Sequence, residues 1–160
     1  SPKKWIKYFI IGDGSELNYY QRLIEKLNIK RHVKMLGHKS QADIRKRMQE
    51  SDIFLMTSTS DDSGRRETQG LVTAEAQSCG LPVVAFRSGG VPYTIEEGKT
   101  GYLAEEKNLT EFTQHLRKLC TNKTLRKRMG QNARKFIEEN FSQAILAQKQ
   151  ISIYEKVLLS

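Results

Sequence analysis

The sequence predicts an α/β protein with a Rossmann-like parallel sheet flanked by helices. Three observations carry this expectation. Short, dense apolar runs such as "KYFIIG", "IFLMTS" and "PVVAF" have the length and composition of buried strands. Stretches with apolar residues three and four apart separate them, as amphipathic helices do. A hydrophobic content of 38% with 28% charged residues fits a soluble chain that builds a core. At 160 residues the chain suits one domain, so residues 1–160 are read as a single unit, either whole or a piece of something larger.

The elements follow in order. "WIKYFIIGDG" is a strand closed by a Gly-Asp-Gly turn, and Leu17, Tyr20, Leu23, Ile24 and Leu27 mark one face of the helix after it. "HVKMLGH" is a second strand, and "QADIRKRMQESD" a helix with a narrow apolar stripe at Ile44 and Met48. The third strand, "IFLMTS", runs into the polar loop "TSDDSGRRE". A helix from Gly70 through Ser78 stops at Gly80, and Pro82 opens the strand "PVVAF". "SGGVPYTIEEGKTGYLAEE" is turn-rich with a brief strand at "GYLA". Asn108 and Glu111 form a capping box for a helix facing inward through Phe112, Leu116 and Leu119. Leu125, Met129, Ala133, Phe136 and Ile137 continue the pattern in the next helix, and a last one runs from about Ser142 to Leu158.

Composition narrows the function. No apolar run reaches the roughly 18–20 residues that span a bilayer, and no secretory signal is visible, while the two cysteines read as a cytosolic pair of free thiols, so a cytoplasmic protein is expected. Cys79 and Cys120 have no metal-ligand spacing and read as free thiols. The sequons at Asn108 and Asn122 stand where helices begin and are better explained as caps. The net charge of +9 is concentrated in "LRKLCTNKTLRKRMGQNARK", interleaved with apolar residues at helical spacing. A solvated helix face is the plain reading. Peripheral contact with an anionic membrane is compatible with it, and no nucleic-acid motif is present.

Ligands on parallel sheets bind at the carboxyl ends of the strands. That singles out the loops 12–15, 37–40, 57–70 and 87–94. "GDGSEL" has two glycines of a dinucleotide fingerprint, Gly12 and Gly14, but Leu17 stands at the third position. A lining role fits it better than pyrophosphate binding. The paired acids of "SDDSG" lack further metal ligands, so a solvated loop is expected there and no metal. "RRETQGLVTAEAQSCGLPVVAF" is more informative. Its glutamates, Glu67 and Glu75, would lie about 12 Å apart on one helix at ~1.5 Å per residue. Gly70 instead puts Glu67 in the loop and starts the helix near residue 70. The amides of Gly70, Leu71 and Val72 then offer a phosphate site, with one acid on either side of it. A carboxylate, being all acceptor, suits a sugar diol.

The stretch "ETQGLVTAEAQSCGLPVVAFRSGGVPYTIEEGKTGYL" resembles the signature of the GT4-type (group 1) retaining glycosyltransferases of GT-B fold. "FIIGDGSEL", "HVKMLGH", "SDIFLMTS" and "LRKRMGQNARKFIEENFS" fall in that family's order and spacing. The resemblance implies that Glu67 contacts the donor sugar and acts in catalysis, and that Glu75 holds the nucleotide ribose. It implies that Gly70, Leu71 and Val72 hold the diphosphate, and that Gly37, His38 and Lys39 meet the base. Gly89 and Gly90 match the family's glycine pair. Thr68 and Tyr93 depart from the usual glycine and glutamate.

The implied reaction moves a hexose from a UDP- or GDP-sugar to a glycan or lipid-linked acceptor in polysaccharide or lipopolysaccharide synthesis. The departing diphosphate helps deprotonate the acceptor, and neither cofactor nor metal is called for. The family also carries an earlier strand and helix in this domain, and an N-terminal domain that binds the acceptor. Neither is in this sequence, so the chain alone is expected to be inactive. In the sheet order 3-2-1-4-5-6 a gap would fall between "KYFIIG" and "IFLMTS". The alternative is a non-catalytic nucleotide-sugar-binding subunit paired with a separate acceptor-domain chain, which a short neighbouring gene encoding that domain would favour. A non-hydrolysing epimerase would share the fold but not the E-x7-E spacing.

Overall fold

The computed structural model describes residues 6–59 and 70–158. They fall into two compact units, residues 1–46 and 47–160.

In the first unit, β1 (Tyr8–Ile10), α1 (Leu17–Lys26) and β2 (Val33–Met35) lead into α2 (Gln41–Gln49), which ends in the second. β1 and β2 pair in parallel, with Tyr8 opposite Val33 and Ile10 opposite Met35. The crossover through α1 is what a parallel pair requires. On the predicted apolar face of α1, Leu17, Leu23 and Ile24 are half-buried, while Tyr20 and Leu27 remain exposed. Periodicity names a face correctly without saying how much of it is covered.

In the second unit, β3 (Phe54–Met56), α3 (Leu71–Ser78), β4 (Val83–Phe86), β5 (Gly101–Ala104), α4 (Leu109–Thr121), α5 (Lys123–Phe141) and α6 (Gln143–Leu158) succeed one another. The strands form a parallel sheet in the order β3-β4-β5. β4 is bonded on both sides and buried at all four positions. Its alternation sends Val84 and Phe86 into one cluster with Ala104, Phe112, Leu119 and Met129. Val83 and Ala85 enter another with Val91, Ile95 and Leu103.

α3 ends in a Schellman motif: Leu81 N–H donates to Ala76 O and Gly80 N–H to Gln77 O, with Gly80 at φ 79°. The same glycine lies under α5, where a Cβ added to Gly130 would stand 2.2 Å from Gly80 O. Two helices thus meet backbone to backbone.

Asn108 and Asn122 cap α4 and α5 as predicted, accepting from the amides of Glu111 (3.1 Å) and Leu125 (2.9 Å). The reciprocal arm of the capping box goes elsewhere. Glu111 accepts from the Glu105 amide at 3.0 Å instead of that of Asn108, which is already bonded to Glu105 O. Asn108→Ala should cost about 1 kcal/mol, read as a shifted urea midpoint with unchanged slope. Cys79 and Cys120 are free thiols. Burial pushes the Cys120 thiol above its ordinary pKa, which suppresses its nucleophilic form. Among the described residues, no helix is long and apolar enough to cross a membrane. The region between β4 and β5, read as turns, holds a short 3-10 helix, Val91–Thr94, that the sequence did not signal.

Candidate functional site

Among the described residues, Gly12, Gly14, Gly37, His38 and Lys39 follow the strands of the first unit, and Gly70, Leu71, Val72 and Glu75 stand at and within the start of α3 in the second. In the first unit, the loops after β1 and β2 are tied together where the Gly12 amide donates to Gly37 O at 3.1 Å. Gly12 (φ 142°) and Gly37 (φ 66°) occupy backbone that side chains rarely adopt, although a Cβ at either would meet nothing within 4 Å. Conformation rather than space demands glycine here. The Gly14 amide donates to the Asp13 carboxylate at 2.9 Å. His38 is exposed, and Lys39 Nζ donates to its carbonyl at 3.3 Å. These residues form a polar, glycine-lined edge with little side-chain chemistry of its own, suited to main-chain recognition.

In the second unit the site forms where α3 begins. Gly70, at φ 64°, turns the chain into the helix. A Cβ there would stand 3.1 Å from Val91 Cα and 3.3 Å from Gly90 O, so the amino end of α3 rests directly on the turn after β4. The amides of Leu71 and Val72, in the first turn, have no acceptor within the helix. Leu71 is 60% exposed, as an open site requires. One turn in, Glu75 is exposed and its carboxylate has no partner among the described residues. On the inner face, Thr73, Ala76 and Gln77 are buried. Spacing of three and four residues thus separates the packing face from the one presenting Glu75. Glu67, Asp61 and Asp62 lie outside the described residues.

Arg87, at the end of β4, is a cation beside this turn but not a free one. It donates to Glu97 at 2.8 Å and to Glu105 at 3.0 Å, and the hydrogen bond to Glu97, above all, raises its pKa further. Among the described residues no group of acidic, histidine or cysteine side chains could hold a metal ion. Sequence reasoning missed the polar contacts beneath the site, made by Thr73, Gln77 and Thr94. The signal, had it been used, was two polar residues four apart on the buried side of a short apolar helix. Nothing marked Thr94.

The Glycosyl transferases group 1 family profile matches residues 2–136. N-acetyl-alpha-D-glucosaminyl L-malate synthase of Bacillus anthracis is 32% identical over 152 residues, which is 95% of this chain and 38% of that enzyme. D-inositol 3-phosphate glycosyltransferase of Corynebacterium jeikeium is 36% identical over 120 residues, 75% of this chain and 27% of that one. The chain therefore spans well under half the length of these relatives. Among solved structures, Anabaena HepE in complex with UDP superposes with a TM-score of 0.80 at 26% identity, covering 94% of this chain and 41% of its own. Parallel strands flanked by helices, a glycine-turned helix start at Gly70 and a profile match over most of the length agree: this chain belongs to the group 1 glycosyltransferases of GT-B fold.

Proposed function

We propose that this chain is the donor-binding domain of a retaining glycosyltransferase, which moves a hexose from a UDP- or GDP-sugar to a glycan or lipid-linked acceptor. The observation that carries the reading is the Glu75 carboxylate, exposed and without a partner among the described residues, one turn inside a helix whose amino end is pinned to a glycine turn. The amides of Leu71 and Val72, with that of Gly70 at the helix entry, hold the diphosphate, and the positive end of the α3 dipole faces its charge. Glu75 accepts from the ribose diol and Glu67 contacts the donor sugar. In the first unit, the base-binding role that the family resemblance implies falls on Gly37, His38 and Lys39.

As the sugar–phosphate bond breaks, negative charge grows on the departing diphosphate. Preorganised amides stabilise that charge without rearranging, which lowers the barrier. The diphosphate in turn takes the acceptor's proton on the face from which the sugar leaves. No metal or cofactor enters this reading. The acceptor binds a second domain, and the exposed lysines and arginines of α5 are compatible with work beside an anionic membrane face.

Calorimetric titration of UDP- and GDP-sugars into the purified protein tests the proposal. Saturable binding of one nucleotide class is expected. A folded protein that binds neither would overturn it.

A further inference from the structure

We infer that Thr73 and Thr94 are positioning residues of this site. A buried hydrogen bond between their side chains locks the amino end of α3 onto the turn after β4 and so sets where the phosphate-binding amides stand. The inference rests on the proposed donor-binding reading and adds to it the device that holds the cradle in shape.

The two threonines come from elements 21 residues apart, and both are buried, at 0% and 2% exposure. Thr73 Oγ1 is bonded to Thr94 Oγ1 and to Gly70 O, and Thr94 Oγ1 reaches Val91 O at 2.8 Å. Each hydroxyl has one proton to give, so two protons serve these three contacts. In one order Thr94 donates to Thr73, which donates to Gly70 O. In the other, Thr73 donates to Thr94, which donates to Val91 O. Either order keeps the bond between the elements and ends on the backbone of one of them. Gln77 adds a second tie: its amide donates to Thr94 O at 2.6 Å and, within its own helix, to Thr73 O at 3.3 Å.

The position of these ties gives them a role at the site. Gly70, whose carbonyl receives Thr73, is the residue that touches Gly90 and Val91, and the amides of Leu71 and Val72 follow immediately. Any slip between α3 and the turn therefore displaces those amides. Donors act on a developing charge only within a few tenths of an ångström of hydrogen-bond distance.

Packing alone does not call for this arrangement. Valine has nearly the volume of threonine and would fill the same space without burying polar atoms. The molecule instead buries two hydroxyls and a carboxamide, and leaves Gln77 Oε1 without a partner among the described residues. Directional bonds fix an orientation that apolar contact leaves loose.

The test compares UMP with UDP (or GMP with GDP, whichever class binds) by calorimetry on wild-type protein, Thr73→Val, Thr94→Val and Thr73→Ser. The gain in affinity from the second phosphate is the readout, because it isolates the cradle from the nucleoside edge. Each valine variant should lose about tenfold in diphosphate affinity and stay within about twofold for the monophosphate, the loss expected for one charge-assisted contact. Thr73→Ser keeps the hydroxyl and should retain the wild-type gain. The inference is overturned if the valine variants keep the full gain, or lose both nucleotides alike. It is also overturned if serine fails as valine does, since the lost methyl would then be responsible. A wild-type protein that gains nothing from the second phosphate would instead remove the cradle itself.

Discussion

In an enzyme that carries this domain together with an acceptor-binding domain, Glu67→Ala should lower sugar transfer by about a hundredfold or more while leaving UDP or GDP affinity within about twofold. Glu75→Ala should do the reverse to binding, weakening the nucleotide by about tenfold or more, as expected for losing a charged hydrogen bond of ~1.5–3 kcal/mol. The contrast follows from position. Glu75 is carried on α3, one turn beyond the amides of Leu71 and Val72, and in the proposed reading its carboxylate offers the ribose acceptors alone. Glu67 precedes Gly70 and, in the proposed reading, faces the sugar, which a bare nucleotide lacks. Steady-state transfer with calorimetric binding separates the two. If both substitutions weakened the bare nucleotide equally, the division of labour between the acids would fall. If neither affected transfer, both would revert to ordinary surface charges.

Gly130→Ala should be the most damaging single-methyl change to stability, at about 2–3 kcal/mol. Two effects oppose each other there. Alanine favours a helix interior over glycine by ~1 kcal/mol. Against that, its Cβ would stand 2.2 Å from Gly80 O and 3.3 Å from Gly80 C. The obstacle is backbone, locked in the Schellman turn that ends α3, so no side chain can swing aside. Parting the helices would forfeit packing around Met129 and Ala133, both buried on the same face of α5. Urea unfolding reads the result, with Gln131→Ala, an exposed neighbour, as the control expected to change little. A variant as stable as wild type would mean that α3 and α5 are not held this closely in solution.

Much of this fold was legible because its signals are local. Four-residue apolar runs, the Gly80 stop and the Asn108 and Asn122 caps each belong to one stretch of chain, and each element they announced is present. Glu75 and Gly70 were legible for a related reason: a glycine inside a helical pattern says where a helix begins, and the acid's place follows by counting. Less could be read where the answer lies between distant segments. The approach of Gly130 to Gly80 spans 50 positions, and α5 carries no other mark of it. The bond between Thr73 and Thr94 joins residues 21 positions apart, and nothing local marks Thr94 as the partner of Thr73. The uncovered part of α1 shows the opposite case, in which a clear pattern promised more burial than the chain supplies around Tyr20 and Leu27.

The placement of β4 has a consequence in time. With ladders on both sides and every residue buried, its amides can exchange with water only when the sheet of the second unit opens as a whole. α1 and α6, in which no residue is buried, can fray and re-form on their own. The glycine turn under α3 follows β4 within a few residues and therefore inherits the slowest-opening part of its unit. A donor arriving there would meet a surface already in place, while the periphery of the chain breathes many times around it.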